Sequence, residues 1–167
     1  MPRSKEFLRT RDVDWGIRIG MHYIHVASAG GDIPEMIEDR LFDIWRVLKR
    51  SDALFREDEV QLNLNYLDEK FQKLTDLSYE ERIFKTEWYV HSFKAMAMRG
   101  FYSFDRDIQS PYENSVYHWI AKPRNNILSQ EFNLPIIKRE IDPEEFEGKN
   151  LVAMIDHYWR EENQEHE

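Results

Sequence analysis

The sequence predicts an all-α fold, a single-domain bundle of five or six main helices. Three observations favour this class. Apolar residues recur at steps of three and four along most of the 167-residue chain. Several of these segments begin with the capping pattern in which Ser or Asp is followed three residues later by Glu. A chain of this length also buries enough apolar surface for one core, and no linker divides it.

A helical hairpin over residues 12–50 is expected to open the bundle. Gly30 and Gly31 would end its first helix, because glycine readily adopts the left-handed conformation common after a helix. Asp32 and Glu35 would then cap a second helix over residues 33–50. The two apolar stripes are Val13, Ile17, Gly20, Met21, Ile24 and Ala27, followed by Ile33, Ile37, Leu41, Ile44 and Leu48.

Further helices are predicted over residues 57–76, 78–99, 110–121 and 150–162, with a short one after Asp142. The stretch VQLNLNY in the first of these alternates like a strand, but a 3.5-residue spacing continues beyond it and favours a helix. The helix predicted over 78–99 has apolar residues on two faces, which is typical of a helix in the centre of a bundle.

The remaining segments are expected to be irregular. Residues 122–141 contain two prolines and the pair Asn125-Asn126, so they should form a crossing segment. The basic arm 1–11 and the acidic tail 163–167 are expected to be flexible parts of the same single domain.

Composition limits the function. With 32 acidic and 23 basic residues the net charge is −9, which opposes nucleic acid over most of the surface and favours a basic partner. The chain has no cysteine, which excludes disulfides, thiolate metal sites and a cysteine nucleophile. No segment shows a secretory signal or the ~20 apolar residues that cross a membrane, so we expect a cytoplasmic protein without membrane contact.

Two histidines three residues apart raise the possibility of a metal site. His22 and His25 would lie on one turn of the first helix, and Glu38 of the second helix could supply a carboxylate. Against this, His25 would project beside Arg18 on the polar side of the helix, and a neighbouring cation disfavours a metal. A solvated helix face is the simpler interpretation, and no cofactor is predicted.

Signals for other chemistry are weaker. His91 would lie among apolar residues, where a hydrogen-bonded core histidine is the common outcome, although His118 or the pair Asp156-His157 could be its partner in acid–base catalysis. Gly30 and Gly31 could cradle a phosphate, but Asp32 already places negative charge there. HExxH, P-loop and GxSxG motifs do not occur in the sequence. No catalytic residue is assigned.

Residues 99–126 hold the densest mixture of aromatic rings, arginine and asparagine, which is typical of interface hot spots and of base-stacking surfaces. Packing against the bundle is the simpler explanation, and contact with a protein partner is the leading functional one. The acidic run 57–59 is either a solvated helix start or a surface that steers a basic partner. The predicted partner-binding residues are Phe101, Tyr102, Phe104, Tyr112, Trp119, Glu57, Asp58 and Glu59.

The predicted function is therefore that of a non-enzymatic, acidic helical protein that binds a protein partner and inhibits it or assembles with it, as a toxin-neutralising immunity protein would. One alternative is a metal-dependent helical hydrolase that uses histidines. The other is an accessory subunit of a nucleoprotein complex. Its nucleic-acid contacts would be the basic residues Arg3, Lys5, Arg9, Arg11, Arg99, Arg106, Lys122 and Arg124. The sequence predicts no oligomeric state.

Overall fold

The computed structural model describes residues 4–38, 44, 53–72, 76–125 and 132–164. It shows an α/β fold built on a six-stranded mixed sheet, so the prediction of an all-α helical bundle is wrong. The strands are β1 (Asp14–Ile19), β2 (His22–Ala27), β3 (Val60–Leu62), β4 (Phe101–Arg106), β5 (Tyr117–Pro123) and β6 (Ile136–Ile137). The α-helices are α1 (Lys5–Arg9), α2 (Glu35–Glu38), α3 (Leu64–Gln72), α4 (Tyr79–Ala97) and α5 (Leu151–Gln164).

The strands lie side by side in the order β3, β5, β4, β2, β1, β6. The central neighbours β2 and β4 run parallel, as do β1 and β6, and the other neighbours are antiparallel. The carboxyl ends of β2 and β4 therefore share one edge of the sheet with the amino ends of β1 and β5. We call this the upper edge. Ligand sites in open α/β sheets commonly lie at such an edge.

A β-hairpin formed by β1 and β2 takes the place of the first predicted helix. Its two-residue loop is Gly20-Met21, and the φ of 55° at Gly20 is what a type II′ turn requires at its first loop position. The predicted helical hairpin is therefore wrong in its first half. For its second half, the described residues include α2 and Ile44, and the rest of 39–52 lies outside them.

The sequence of this hairpin predicts a helix wrongly, because its apolar residues also repeat with the period of two that is typical of a strand. Trp15, Ile17 and Ile19 of β1 are at most 1 % exposed and share an apolar cluster with Ile24 and Val26 of β2. Aromatic and β-branched residues of this kind fit a pleated strand well. Since apolar residues also occur on the other strand face, steps of three and four appear as well, and spacing alone does not separate the two structures.

Helices cover both faces of the sheet. On one face, the α5 side, residues of α1, α2 and α5 pack on the strands; these include Leu8, Ile37, Leu151, Val152 and Ile155. On the other face, the α4 side, residues of α3 and α4 do so; these include Leu67, Val90, Phe93 and Ala97. The sheet thus separates two apolar layers.

Several predicted helices are confirmed in part. Helices α4 and α5 match the predictions for 78–99 and 150–162 closely. The helix predicted over 57–76 begins instead with a 3-10 turn, Glu57–Glu59, and strand β3, and becomes α-helical only in α3. The alternation of VQLNLNY was therefore a true strand signal over its first three residues.

The helix predicted over residues 110–121 is wrong. Tyr112–Asn114 form a single 3-10 turn, and β5 begins at Tyr117. The crossing segment 122–141 contains the end of β5 and the short strand β6, with residues 126–131 outside the described ones. The short helix after Asp142 is a 3-10 helix, Pro143–Phe146, capped by the Asp142 side chain as predicted.

Helices lie near both ends of the described chain, and the flexibility expected of 1–11 and 163–167 stays a prediction. Residues Lys5–Arg9 form α1, and its Leu8 is 3 % exposed in the core. The helix α5 extends to Gln164. Residues 1–3 and 165–167 lie outside the described part of the chain. Among the described residues, no helix is both long enough and apolar enough to span a membrane.

Candidate functional site

Helix α4 carries an apolar surface that the described residues do not cover. Its side toward the sheet is buried through Val90, Phe93, Met96 and Ala97. Away from the sheet, Phe84 and Trp88 are 70 and 77 % exposed, and Tyr79 and Ile83, about 140° around the helix from them, are 72 and 42 % exposed. We call Phe84 and Trp88 the α4 patch. The prediction that both apolar faces of this helix are buried is therefore wrong for one of them.

The sequence around Ser78 explains why the α4 patch is regular. The Ser78 hydroxyl accepts a hydrogen bond from the backbone N–H of Glu81 at 3.2 Å, the N-cap that the sequence predicts. The helix then runs uninterrupted for 19 residues. Residues four apart lie side by side on a helix, so Phe84 and Trp88 form one exposed pair.

A cavity of about 660 Å³ lies between α4 and the upper edge of the sheet. The patch residues Phe84 and Trp88 form part of its wall. Its lining is acidic and aromatic, with the carboxylates Asp12, Asp14, Glu87 and Asp105 and the rings Phe84, Trp88, Tyr89 and Phe93. Among the described residues that line it there is no lysine or arginine. The cavity therefore favours a positively charged occupant.

A buried histidine links three strands behind this cavity. His25 is 1 % exposed; its Nδ1 lies 2.7 Å from the Ser103 hydroxyl and its Nε2 lies 2.9 Å from an Asp14 carboxylate oxygen. An ionised carboxylate has no hydrogen to donate, so Nε2 carries the hydrogen. In the tautomer with its hydrogen on Nε2 alone, Nδ1 accepts from the Ser103 hydroxyl. The network joins β1, β2 and β4.

Ser103, His25 and Asp14 are the residue types of a catalytic triad, but the arrangement is structural. Ser103 is 0 % exposed and is absent from the cavity lining, so its hydroxyl does not reach a molecule bound there. The carboxylate also binds Nε2 rather than Nδ1, the reverse of the serine protease arrangement. We assign to these three residues the role of holding the strands in register.

A second buried pair connects α4 to the sheet. The Tyr89 hydroxyl donates a hydrogen bond to the Asp105 carboxylate at the end of β4. Burial raises the pKa of Asp105 to about 6, against an opposing effect of the Tyr89 hydrogen bond. Burial likewise raises the pKa of Tyr89 far above its ordinary value, which keeps the hydroxyl a donor. This pair fixes the helix over the cavity.

His118 forms a third polar group on the α4 side. Its Nδ1 is bonded to the Glu147 carboxylate, and its ring stacks on Tyr66 with centroids 3.9 Å apart. Glu147 also accepts from the backbone N–H of Trp119 and from the Asn63 amide, each at 3.0 Å. Because the carboxylate receives three donors, we interpret this group as a connection between β5, α3 and the segment before α5.

The candidate metal ligands are not brought together. His22 and His25 lie on a strand, where residues three apart point to opposite faces. His22 accordingly contacts Tyr102 and Glu140, whereas His25 faces Phe93. Glu38 ends the short helix α2. Within the described part of the chain, no group of three or more His, Asp or Glu side chains is arranged to hold a metal ion.

Most of the aromatic residues predicted to bind a partner belong to the core. Phe101 and Phe104 are 0 % exposed, and Tyr102 and Trp119 are 8 % exposed, whereas Tyr112 is 40 % exposed. Each acidic residue of 57–59 forms an ion pair within the chain. Glu57 pairs with Lys94 at 2.8 Å, and Asp58 and Glu59 both pair with Arg56. The predicted residues thus do not form one exposed surface.

The basic residues considered for nucleic-acid binding are dispersed over the structure, and most of them contact other residues of the chain. Arg9 pairs with Asp32 at 2.8 Å, and Lys122 pairs with Glu144. Arg106 is 2 % exposed and donates to backbone carbonyls. Lys5 lies in α1, and Arg124 directly follows β5. Arg11 lies over the Phe7 ring, and Arg99 donates to the Ala95 carbonyl. Arg3 is outside the described residues.

The sequence interpretation did not select Asp14, Tyr89, Ser103, Asp105 or Glu147. Strand pairing brings Asp14 and Ser103 to His25, Asp105 meets Tyr89 at the end of β4, and Glu147 meets His118 of β5. The α4 patch did give a signal, since the two apolar faces of helix 78–99 are visible in the sequence. Comparisons of the chain with protein-family models, with curated proteins and with solved structures give no significant match.

Proposed function

We propose that the protein binds a basic segment of a partner protein through the α4 patch and the acidic cavity beside it. The observation that carries the proposal is the exposure of two large rings one helical turn apart at the cavity, Phe84 at 70 % and Trp88 at 77 %. Aromatic residues anchor protein interfaces, and exposed apolar side chains beside a cavity mark candidate interaction sites.

Charge supports a basic partner. A lysine or arginine side chain that enters the cavity would meet the Asp12 and Glu87 carboxylates and the faces of the Phe84 and Trp88 rings. The net charge of −9 would accelerate the approach of such a partner. The same charge speaks against a second copy of this chain as the occupant, since like-charged copies repel each other.

The proposal keeps the predicted class of function, a non-enzymatic protein that binds a partner, and relocates the contact surface to α4. Residues 99–126 supply the sheet beneath the helix instead. They hold the cavity in shape through Asp105, which anchors Tyr89.

Site-specific photo-cross-linking in the producing cells tests the proposal. A photoreactive amino acid in place of Phe84 or Trp88 is expected to cross-link the same protein, at a segment rich in lysine and arginine. The matched control position is Ile108, which is 71 % exposed in the turn after β4. It should not yield that cross-link.

The captured partner then allows a quantitative test. Trp88→Ala is expected to weaken binding by roughly 30-fold or more, as removal of an aromatic anchor does. Ile108→Ala should leave the affinity unchanged, and added salt should weaken it. Cross-links to a second copy alone, the absence of any cross-linked protein, or an unchanged affinity of Trp88→Ala would each refute the proposal.

A further inference from the structure

The sheet side of the cavity beside α4 contains a row of three residues on neighbouring strands. Asp14 of β1 pairs with Ala27 of β2, and Ala27 pairs in turn with Asp105 of β4. Paired residues on neighbouring strands point to the same face of a sheet, and all three of these residues line the cavity. The two carboxylates therefore flank the Ala27 methyl group.

Both carboxylates are held in place from within the chain. Asp14 accepts a hydrogen bond from Nε2 of His25 at 2.9 Å, and Asp105 accepts one from the Tyr89 hydroxyl. The Asp14 side chain is 23 % exposed and Asp105 lies deeper, at 9 %. A carboxylate has about four acceptor positions, so these two hydrogen bonds do not saturate either group.

The spacing of the row indicates which cation it fits. Neighbouring strands are ~4.8 Å apart, so the Cα atoms of Asp14 and Asp105 are separated by about 10 Å. Side chains stand roughly perpendicular to a sheet, which keeps the two carboxylates apart. The single nitrogen of an ammonium group bridges acceptors at most about 6 Å apart. A guanidinium donates from three nitrogens in one plane and spans a wider gap.

The walls of the cavity favour the same cation. The Phe93 ring lies next to His25 and Tyr89, with centroids 6.2 Å and 5.4 Å away. Phe84 and Trp88 form the exposed part of the wall. A guanidinium stacks on aromatic rings and is more weakly hydrated than an ammonium group, so it loses less hydration on entering such a cavity.

We propose that the basic segment bound at this site inserts an arginine side chain, and that its guanidinium lies over Ala27 between Asp14 and Asp105. The inference rests on the proposed function and specifies the side chain that the cavity recognises. The rest of the segment contacts the α4 patch. Lysine fits the row poorly, because its ammonium group reaches one of the two carboxylates at a time.

Titration of the full chain with the N-acetyl amides of arginine and of lysine tests the inference, since each carries one positive charge. The titration is followed by nuclear magnetic resonance at pH 7.5, where Asp105 is ionised although burial raises its pKa to about 6. The arginine amide should shift the backbone N–H signals of Ala27 and Asp105 saturably. The lysine amide should bind roughly tenfold more weakly, as expected for the loss of a charge-assisted hydrogen bond.

Two variants of the row test the position of the guanidinium. Asp14→Asn and Asp105→Asn keep an oxygen that accepts the internal hydrogen bond but lose the negative charge, so each should weaken binding of the arginine amide by roughly fivefold or more. The matched control is Asp76→Asn, at an exposed carboxylate outside the cavity lining, which should bind as the natural chain does. The comparison of the two amides uses the natural chain alone, so it does not depend on the folding of any variant.

Equal affinity for the two amides, the absence of saturable shifts with the arginine amide, or an unchanged affinity in either row variant would overturn the inference. The proposed docking function has a separate measurement. A partner that cross-links at Phe84 and Trp88 through a segment with lysine but no arginine would support docking and overturn the arginine inference. Selective binding of the arginine amide without any cross-linked partner would refute docking alone.

Discussion

Ser103 illustrates how one buried hydroxyl supports the sheet. It is hydrogen-bonded to Nδ1 of His25, whose other nitrogen is bonded to Asp14, so that a single ring spans three strands. We expect Ser103→Ala to lower the free energy of unfolding by about 1–3 kcal/mol, because the buried Nδ1 loses its donor. Urea denaturation measures this change.

The matched control for that substitution is Ser92→Ala. Ser92 is half-buried on α4, and its hydroxyl makes no hydrogen bond with a described residue. Its replacement should change the free energy of unfolding by no more than about 0.5 kcal/mol. Equal effects of the two substitutions would show that the contact with His25 adds no stability.

Asp105 should make stability depend on pH in an unusual direction. Burial raises its pKa from the ordinary 3.8 to about 6, so between these values the folded chain keeps a proton that the unfolded chain has released. The contribution of this group to the free energy of unfolding therefore falls as pH rises through this window. At about 1.4 kcal/mol per pKa unit, the full effect is on the order of 3 kcal/mol.

Asp105→Asn isolates this effect, because the amide oxygen still accepts from Tyr89 but does not ionise. We expect the variant to gain stability relative to the natural chain as pH rises from about 4 to about 7. Urea titrations of both proteins at several pH values measure the difference in their free energies of unfolding. The contributions of the other carboxylates are shared by the two proteins and cancel in this difference. A stability difference between the two proteins that does not change with pH would contradict the raised pKa of Asp105.

At the scale of elements, helices with local signals were predictable. Helix α4 has a Ser78 N-cap, and α5 has a regular apolar stripe, and both signals depend only on neighbours in the sequence. Strand β4 had no such signal. All six of its residues are buried, because it lies in the centre of the sheet with both faces covered, and it therefore lacks the alternation of a half-exposed strand.

The two faces of α4 should respond differently to truncation. Phe93 is 6 % exposed against the sheet, so Phe93→Ala should lower the free energy of unfolding by about 3–5 kcal/mol. Phe84 is 70 % exposed, so Phe84→Ala should lower it by about 0.5 kcal/mol or less. Denaturant midpoints of the two variants measure the contrast.

A large loss of stability in Phe84→Ala would mean that the Phe84 ring packs within this chain. That result would remove the basis for a docking surface. The comparison is well matched, since both substitutions shorten the same side chain on the same helix. Retained stability in Phe84→Ala, combined with lost partner binding, is the pattern expected of an interface residue.

For the whole molecule, the candidate site was less predictable than the helices. The cavity beside α4 joins Asp14, Asp105 and Tyr89, whose positions along the chain are far apart and which meet only through strand pairing. The aromatic residues of 99–126 became core for the same reason, since β4 and β5 occupy inner positions in the sheet. Spacing along the chain carries no information on such long-range pairing.

The alternation of strand residues makes the two apolar layers depend on each other. Ile24 and Val26 of β2 enter the layer on the α5 side, while Ala27 enters the layer on the α4 side. Loss of either layer exposes the same strands, so we expect the described chain to unfold in one cooperative transition, as a single domain does.

Two probes and two variants test this cooperativity. Far-ultraviolet circular dichroism and tryptophan fluorescence should give coincident urea transitions in the natural chain. Phe93→Ala on the α4 side and Ile155→Ala on the α5 side should each shift both transitions together, by an amount that matches a loss of about 2–5 kcal/mol. If a variant shifted one probe alone, the two apolar layers would be separate folding units, although both pack on the same strands.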